Sequence, residues 1–96
     1  MHVLAVELRF RIPQSQSLKE KRSVLNSLMD RLGRLGVSVA EIADPEDHQL
    51  ATLGVATVSG SVHVAESNID EVVRMVWSRP EVEVLDEIRT WMELDQ

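Results

Sequence analysis

The first twelve residues alternate between apolar and polar side chains. From His2 to Ile12 one face is entirely apolar and the other carries three charges, which is the pattern of a half-buried β-strand. Pro13 ends the pattern, since proline cannot donate to a sheet ladder. The apolar face holds Leu4, Val6, Leu8, Phe10 and Ile12, and the opposite face holds Val3, Ala5, Glu7, Arg9 and Arg11.

A helical pattern follows this strand. The run SLKE at residues 17–20 forms a capping box, in which the serine oxygen accepts from a helix amide and the glutamate reaches back. Apolar residues then recur at helical spacing, and Gly36 suits the position after a helix end. The pattern predicts a helix from about Leu18 to Leu35, with Lys21 inside its apolar stripe.

Three further segments have strand patterns and one has a helical pattern. The middle strand segment is apolar on both faces, which indicates a central position in the sheet, and the last has an irregular phase that indicates a bulge. The strand segments are residues 37–42, 52–59 and 81–94, and the irregularity in the last one is near Leu85 and Asp86. The second helix is capped by Ser61 and ends at Arg79, because the residue before Pro80 disfavours the helical conformation.

The predicted order is β-α-β-β-α-β in one α+β domain spanning residues 1–96. Right-handed connections place both helices on one face of a four-stranded antiparallel sheet, the ferredoxin-like split sandwich. The other face of the sheet then stays uncovered. We expect that face to carry Glu7, Arg9 and Arg11 from the first strand and Glu83, Leu85, Glu87, Arg89 and Trp91 from the fourth.

Composition narrows the class of protein. The chain has 96 residues, 44% hydrophobic and 27% charged, as expected for one globular domain. It has no cysteine, no signal-peptide pattern and no run of about 20 apolar residues, so we expect a cytoplasmic protein with no membrane partner. The net charge of −6 divides into +4 for residues 1–34 and −10 for residues 35–96. We therefore expect no DNA partner, although a local basic face remains available.

No group of residues has the pattern of a reaction centre. The three histidines, His2, His48 and His63, lie in unrelated segments without an acid–base or nucleophile pattern. The acids of residues 43–48 lack the spacing, glycine and distal glutamate of a calcium loop, and a solvated loop explains them better. The sequence therefore predicts no catalytic residue, no metal and no cofactor, in a protein that is not an enzyme.

Two surfaces are candidates for binding a partner. The cations near the start of the first helix can form a patch for RNA, and they are Arg11, Lys19, Lys21 and Arg22. For Lys21 the alternative is that its stem covers the core edge and its ammonium reaches water or an acid. The uncovered sheet face can instead form a homo-oligomer interface through Arg9, Leu85, Arg89 and Trp91. Base stacking on that face is poorly supported, because Phe10 belongs to the core face.

Four stretches of the chain are similar, in order, to the YlxP-like family of small bacterial proteins, a domain of unknown function. They are RIPQSQSLKEKRSVLNSLMDRL, VSVAEI, ATLGVATVS and SRPEVEV, and the first is the most specific. The stretch ADPEDHQLATLG departs from the family, in which it typically contains an aromatic residue. The resemblance implies a ferredoxin-like fold, and the residues that match the shared motif are Arg11, Ser17, Lys19, Glu20, Lys21 and Arg22.

Members of this family are often encoded beside genes for translation initiation and ribosome maturation, so the resemblance implies a role near the ribosome. Our first hypothesis is a small non-enzymatic accessory factor that contacts ribosomal RNA, or a ribosome-assembly particle, through the basic start of the first helix. The alternatives are a homo-oligomeric interaction module that pairs through the uncovered sheet face or an edge strand, and a small-ligand regulatory domain.

Overall fold

Residues 1–93, which a computed structural model describes, form strands and helices in the predicted order. The strands pair antiparallel in the order β2-β3-β1-β4, so β1 and β3 are central and β2 and β4 are the edges. The prediction of a ferredoxin-like fold is confirmed. The elements are β1 (His2–Arg11), α1 (Leu18–Gly33), β2 (Ser38–Ala43), β3 (Leu50–Ser59), α2 (Val62–Trp77) and β4 (Glu83–Glu93).

The predicted capping box fixes the start of α1. The hydroxyl of Ser17 accepts from the amide of Glu20 at 3.1 Å, and the carboxylate of Glu20 accepts from the amide of Gln16 at 2.6 Å. These bonds satisfy two amides that have no partner inside the helix. The helix ends at Gly33, two residues before the predicted end, and the chain then turns at Gly36 with φ 77°, which glycine adopts without strain.

The core lies between one face of the sheet and the inner sides of both helices. The inward face of β1 is fully buried, as its alternation predicts, and Phe10 is the largest of its buried side chains. Leucines of α1 and β-branched residues of α2 close the core from the other side. The buried residues of the helices include Leu25, Leu28, Leu32, Ala65, Ile69, Val72 and Val76.

A β-bulge reverses the face predicted for most of β4. Phe10 pairs with Val84 and Arg9 pairs with Asp86, so Leu85 is the extra residue between them. Beyond the bulge the alternation is shifted by one residue, and the odd-numbered side chains turn to the helix side. The prediction that Glu87, Arg89 and Trp91 lie on the uncovered face was therefore wrong, because their β1 partners face the core. The β4 residues on the uncovered face beyond the bulge are Asp86, Ile88, Thr90 and Met92.

Candidate functional site

Lys21 is buried and binds the loop between β2 and β3. Its side chain has no exposed surface, and its Nζ donates to the carbonyl oxygens of Asp44 and Asp47 at 2.7 and 2.6 Å. The same Nζ lies 3.4 Å from a carboxylate oxygen of Glu41. The structure therefore corrects the assignment of Lys21 to an RNA-binding patch, and it shows the alternative, in which the ammonium reaches an acid.

Arg22 shares that acid with Lys21. Its guanidinium donates to Glu41 at 2.6 Å and to the carbonyl oxygen of Pro45 at 3.2 Å. Glu41 lies on the helix side of β2, and its side chain is only 12% exposed. One carboxylate thus neutralises part of the charge of two cations, and Arg22 presents an ion pair to solvent rather than a free guanidinium.

The other two cations of the predicted patch lie on different sides of the protein. Arg11 is on the uncovered face of β1, where it donates to Glu83 of β4 at 3.1 Å. Lys19 is exposed on α1, on the helix side, and its side chain makes no hydrogen bond or ion pair within residues 1–93. The structure does not bring the four predicted residues together as one cationic surface.

Asp47 stabilises the loop that receives Lys21. Its carboxylate accepts from the amides of Leu50 and Gln49, both at 2.8 Å. These hydrogen bonds lower the pKa of Asp47 below its ordinary value of 3.8, and the charges of His48 and Lys21 lower it further. The acidic loop is thus bonded to its own backbone. Among residues 1–93, no three histidine or carboxylate side chains are grouped so that they could hold a metal ion.

The lowered pKa of Asp47 predicts a pH-dependent contribution to stability. Because the folded state favours the carboxylate, Asp47 stabilises the fold at pH values above about 4, and this contribution is lost as the pH falls through the lowered pKa. We expect Asp47→Asn to be less stable than the parent at neutral pH, and the difference to close in acid. Urea unfolding across a pH series measures it, with Glu46→Gln as the control. A difference that does not change with pH would contradict the prediction.

The uncovered sheet face holds a shallow apolar groove of about 410 Å³. Small residues line its floor, namely Ala5 of β1, Ala40 of β2, and Gly54 and Ala56 of β3. Ile42 forms one wall, and its Cγ2 lies 3.1 Å from the place that a Cβ on Gly54 would occupy. A glycine at this position therefore lets the isoleucine pack closely over the strand.

Exposed apolar side chains continue this surface along β3 and onto β4. Ile88 and Met92 of β4 share the uncovered face and are 49% and 56% exposed, and Val58 of β3 is 61% exposed. Single exposed apolar residues are ordinary in folded proteins, but a contiguous set on one face is characteristic of an association surface.

The predicted oligomer residues occupy three different places. Arg9 lies on the uncovered face, and Leu85 is the bulge residue of the edge strand. Arg89 and Trp91 are on the helix side, where Arg89 donates to Asp70 of α2 at 2.7 Å, and this hydrogen bond raises the pKa of Arg89. Sequence reasoning missed the groove itself. A signal for it was available in the small residues of three strand segments, namely Ala5, Ala40, Gly54 and Ala56.

Comparison with known proteins gives the family and the fold. A family model described as "Protein of unknown function (DUF503)" matches residues 3–89. The chain is 37% identical over 68 residues to "Uncharacterized protein YlxP" of Bacillus subtilis (strain 168), covering 70% of this chain and 74% of that one.

Two designed proteins have similar structures. The first is "De novo designed protein Foldit4", with a TM-score of 0.59 and 15% identity, covering 92% of this chain and 96% of the other. The second is the de novo designed protein LFR1 1, described as having a ferredoxin fold, with a TM-score of 0.53 and 12% identity, covering 98% of this chain and 88% of the other. At such low identity these matches concern the fold alone.

Fold and surfaces together define a small ferredoxin-like protein with one face of its sheet open. Within residues 1–93, neither helix has the length and apolar content needed to cross a membrane. The chain belongs to the DUF503 family, which includes the YlxP-like proteins that its sequence resembles.

Proposed function

We propose that this protein acts by binding rather than by catalysis, and that its uncovered sheet face docks a second copy of the same chain. The observation that supports the proposal is the apolar groove along Ala5, Ala40 and Gly54, on the face opposite the helices. Burying apolar surface is the main favourable contribution to most protein–protein association.

The dimensions of the face agree with what a stable dimer needs. β1 and β3 have 10 residues each. With about 3.3 Å per residue and about 4.8 Å between strands, a four-stranded face presents roughly 600 Å² in projection. A standard interface buries about 800 Å² of accessible surface on each partner, and a pleated surface has more accessible area than its projection. Two copies that cover the whole face therefore bury roughly 1,200 Å² in projection, which is the lower end of the range for stable interfaces.

Contact with ribosomal RNA or a ribosome-assembly particle stays a second proposal. Lys21 and Arg22 are engaged by Glu41 and the loop carbonyls, so the surface for such a contact differs from the one that the sequence predicts. Exposed cations without an acid partner in the described part of the chain remain on the helix side, and they are Lys19, Arg31, Arg34 and Arg74. The small-ligand alternative and the cytoplasmic location also stay predictions.

Ile88→Lys tests the docking face. The substitution places a charge in the proposed interface at a side chain that is already 49% exposed, so we expect the monomer to fold normally and self-association to weaken at least about tenfold. Sedimentation velocity over a concentration series measures the change. The matched control is Val64→Lys on α2, where the valine is 47% exposed on the helix side. A parent that stays monomeric, or equal effects of both variants, would contradict the proposal.

A further inference from the structure

Two opposite charges without partners lie on the uncovered face of the central strand β1. Glu7 and Arg9 are both exposed and are two residues apart, so they point to the same side of the sheet. Within residues 1–93 neither side chain makes a hydrogen bond or an ion pair. Arg11, the next residue of the same row, differs because it pairs with Glu83 of β4.

One of these charges borders the apolar groove directly, and the other follows it on the same strand. Glu7 contributes to the lining of the groove, and its neighbours across the sheet are Gly54 on β3 and Ile88 on β4. Arg9 has an acid, Asp86 of β4, as its cross-strand neighbour, whereas the neighbours of Glu7 carry no charge. An apolar partner that covered this face would therefore remove Glu7 from water without a cation opposite it on either adjacent strand, and this is costly. An occupant that brings a cation opposite Glu7 avoids that cost.

The order of charges on β1 matches itself when the strand is read in the opposite direction. Glu7 followed by Arg9 faces Arg9 followed by Glu7 if a second β1 crosses the first antiparallel. A two-fold axis produces this match automatically, because in an isologous interface residue i contacts residue j while j contacts i. The Glu7–Arg9 pair of β1 is thus electrostatically complementary to a copy of itself.

We infer that two copies pair face to face about a two-fold axis that passes between Glu7 and Arg9, so that each Glu7 forms an ion pair with the partner subunit's Arg9. This inference rests on the proposed self-association and adds its register. Packed sheets lie about 10 Å apart, and two long side chains reaching from opposite sides bridge such a gap. Beside Glu7, Gly54 has no side chain to obstruct the contact.

Exchanging the two charges tests the register. Glu7→Arg places cations at both proposed contact positions of β1, in the same row as Arg11, and Arg9→Glu places anions at both. Each single variant therefore places like charges opposite each other at two symmetry-related contacts, and we expect each to weaken self-association at least about tenfold. The double variant Glu7→Arg/Arg9→Glu restores opposite charges at both contacts, so its dissociation constant should lie within about threefold of the parent value.

A mixture of the two single variants gives the most specific readout. The cationic strand of one variant faces the anionic strand of the other, so the mixture should form a heterodimer that is tighter than either homodimer. Native mass spectrometry identifies the heterodimer, and sedimentation equilibrium gives the constants. Glu66→Arg, on an exposed position of α2, makes the same change in net charge as Glu7→Arg and should behave like the parent.

The outcomes separate this inference from the proposal on which it rests. A parent that stays monomeric defeats both. A parent dimer that Ile88→Lys disrupts, but that tolerates Glu7→Arg and Arg9→Glu, retains the docking face and overturns the register. The register is supported if self-association is weakened in the single variants and restored in their mixture or in the double variant. If a single variant folds poorly, self-association of the double variant is the deciding measurement. Weakened self-association that neither the mixture nor the double variant restores overturns the register.

Discussion

Replacing Lys21 by methionine should lower the free energy of unfolding by about 3–5 kcal/mol, a large share of the roughly 5–15 kcal/mol that stabilises a typical domain. Methionine keeps most of the aliphatic stem but removes the ammonium. The carbonyl oxygens of Asp44 and Asp47 then lose a charged donor, and Glu41 loses the cation 3.4 Å from its carboxylate. Each uncompensated polar group left inside the protein adds to the loss.

Urea unfolding of matched variants measures this effect. Lys19→Met removes the same charge from an exposed position of α1 without a partner in the described residues, and its effect should stay within about 0.5 kcal/mol. Adding Glu41→Gln to Lys21→Met should not restore stability, because Glu41 still pairs with Arg22 at 2.6 Å and the amide would replace that ion pair by a weaker hydrogen bond. Equal effects of Lys21→Met and Lys19→Met would show that the ammonium does not hold the loop.

The SLKEKR segment, where the family resemblance is most specific, has contacts that explain much of it through folding. Ser17 and Glu20 satisfy amides at the start of α1. Lys21 and Arg22 attach the same turn of the helix to Glu41 and to the loop that follows β2. A segment that looks like a basic binding motif therefore joins the start of α1 to the edge of the sheet. Of its charged side chains, only that of Lys19 has no hydrogen-bond or ion-pair partner within residues 1–93.

Local patterns were sufficient to predict the order of elements and both faces of β1. A strand of regular alternation needs no knowledge of its neighbours, and Phe10 was placed correctly in the core for that reason. The capping box at Ser17 was equally local. These features depend on residues close together in the chain, whose conformations the sequence specifies directly.

The faces of β4 and the partners of Lys21 depend on contacts between distant segments. An irregular phase near Leu85 and Asp86 indicated a bulge, but only pairing with β1 shows that Leu85 is the extra residue and that later side chains reverse. Likewise, the sequence placed Lys21 in an apolar stripe without showing that two carbonyl oxygens of a loop 23 and 26 residues away receive its ammonium.

The charge asymmetry of the chain is smaller in the folded protein than along the sequence. The N-terminal third has an excess of cations, yet Arg11, Lys21 and Arg22 each face an acid from the acidic remainder, namely Glu83 or Glu41. Cations and acids that are far apart in the sequence thus meet in the fold. At these three positions the charge asymmetry along the sequence corresponds to ion pairs inside the fold. On the uncovered face, Arg9 lies two residues from Glu7 on the same strand.

Phe10→Ala should destabilise the protein by about 3–5 kcal/mol, because it removes the largest fully buried side chain and leaves a cavity. Phe10 lies between Ala51 of β3 and Val84 of β4, and neither neighbour is large enough to fill the space. Phe10→Leu keeps much of the volume and should cost clearly less. Urea unfolding with an unchanged m-value measures both losses. If Phe10→Ala cost less than about 1 kcal/mol, Phe10 would not face the core, and the groove, Glu7 and Arg9 would lie on the covered side of the sheet, which would remove the proposed docking surface.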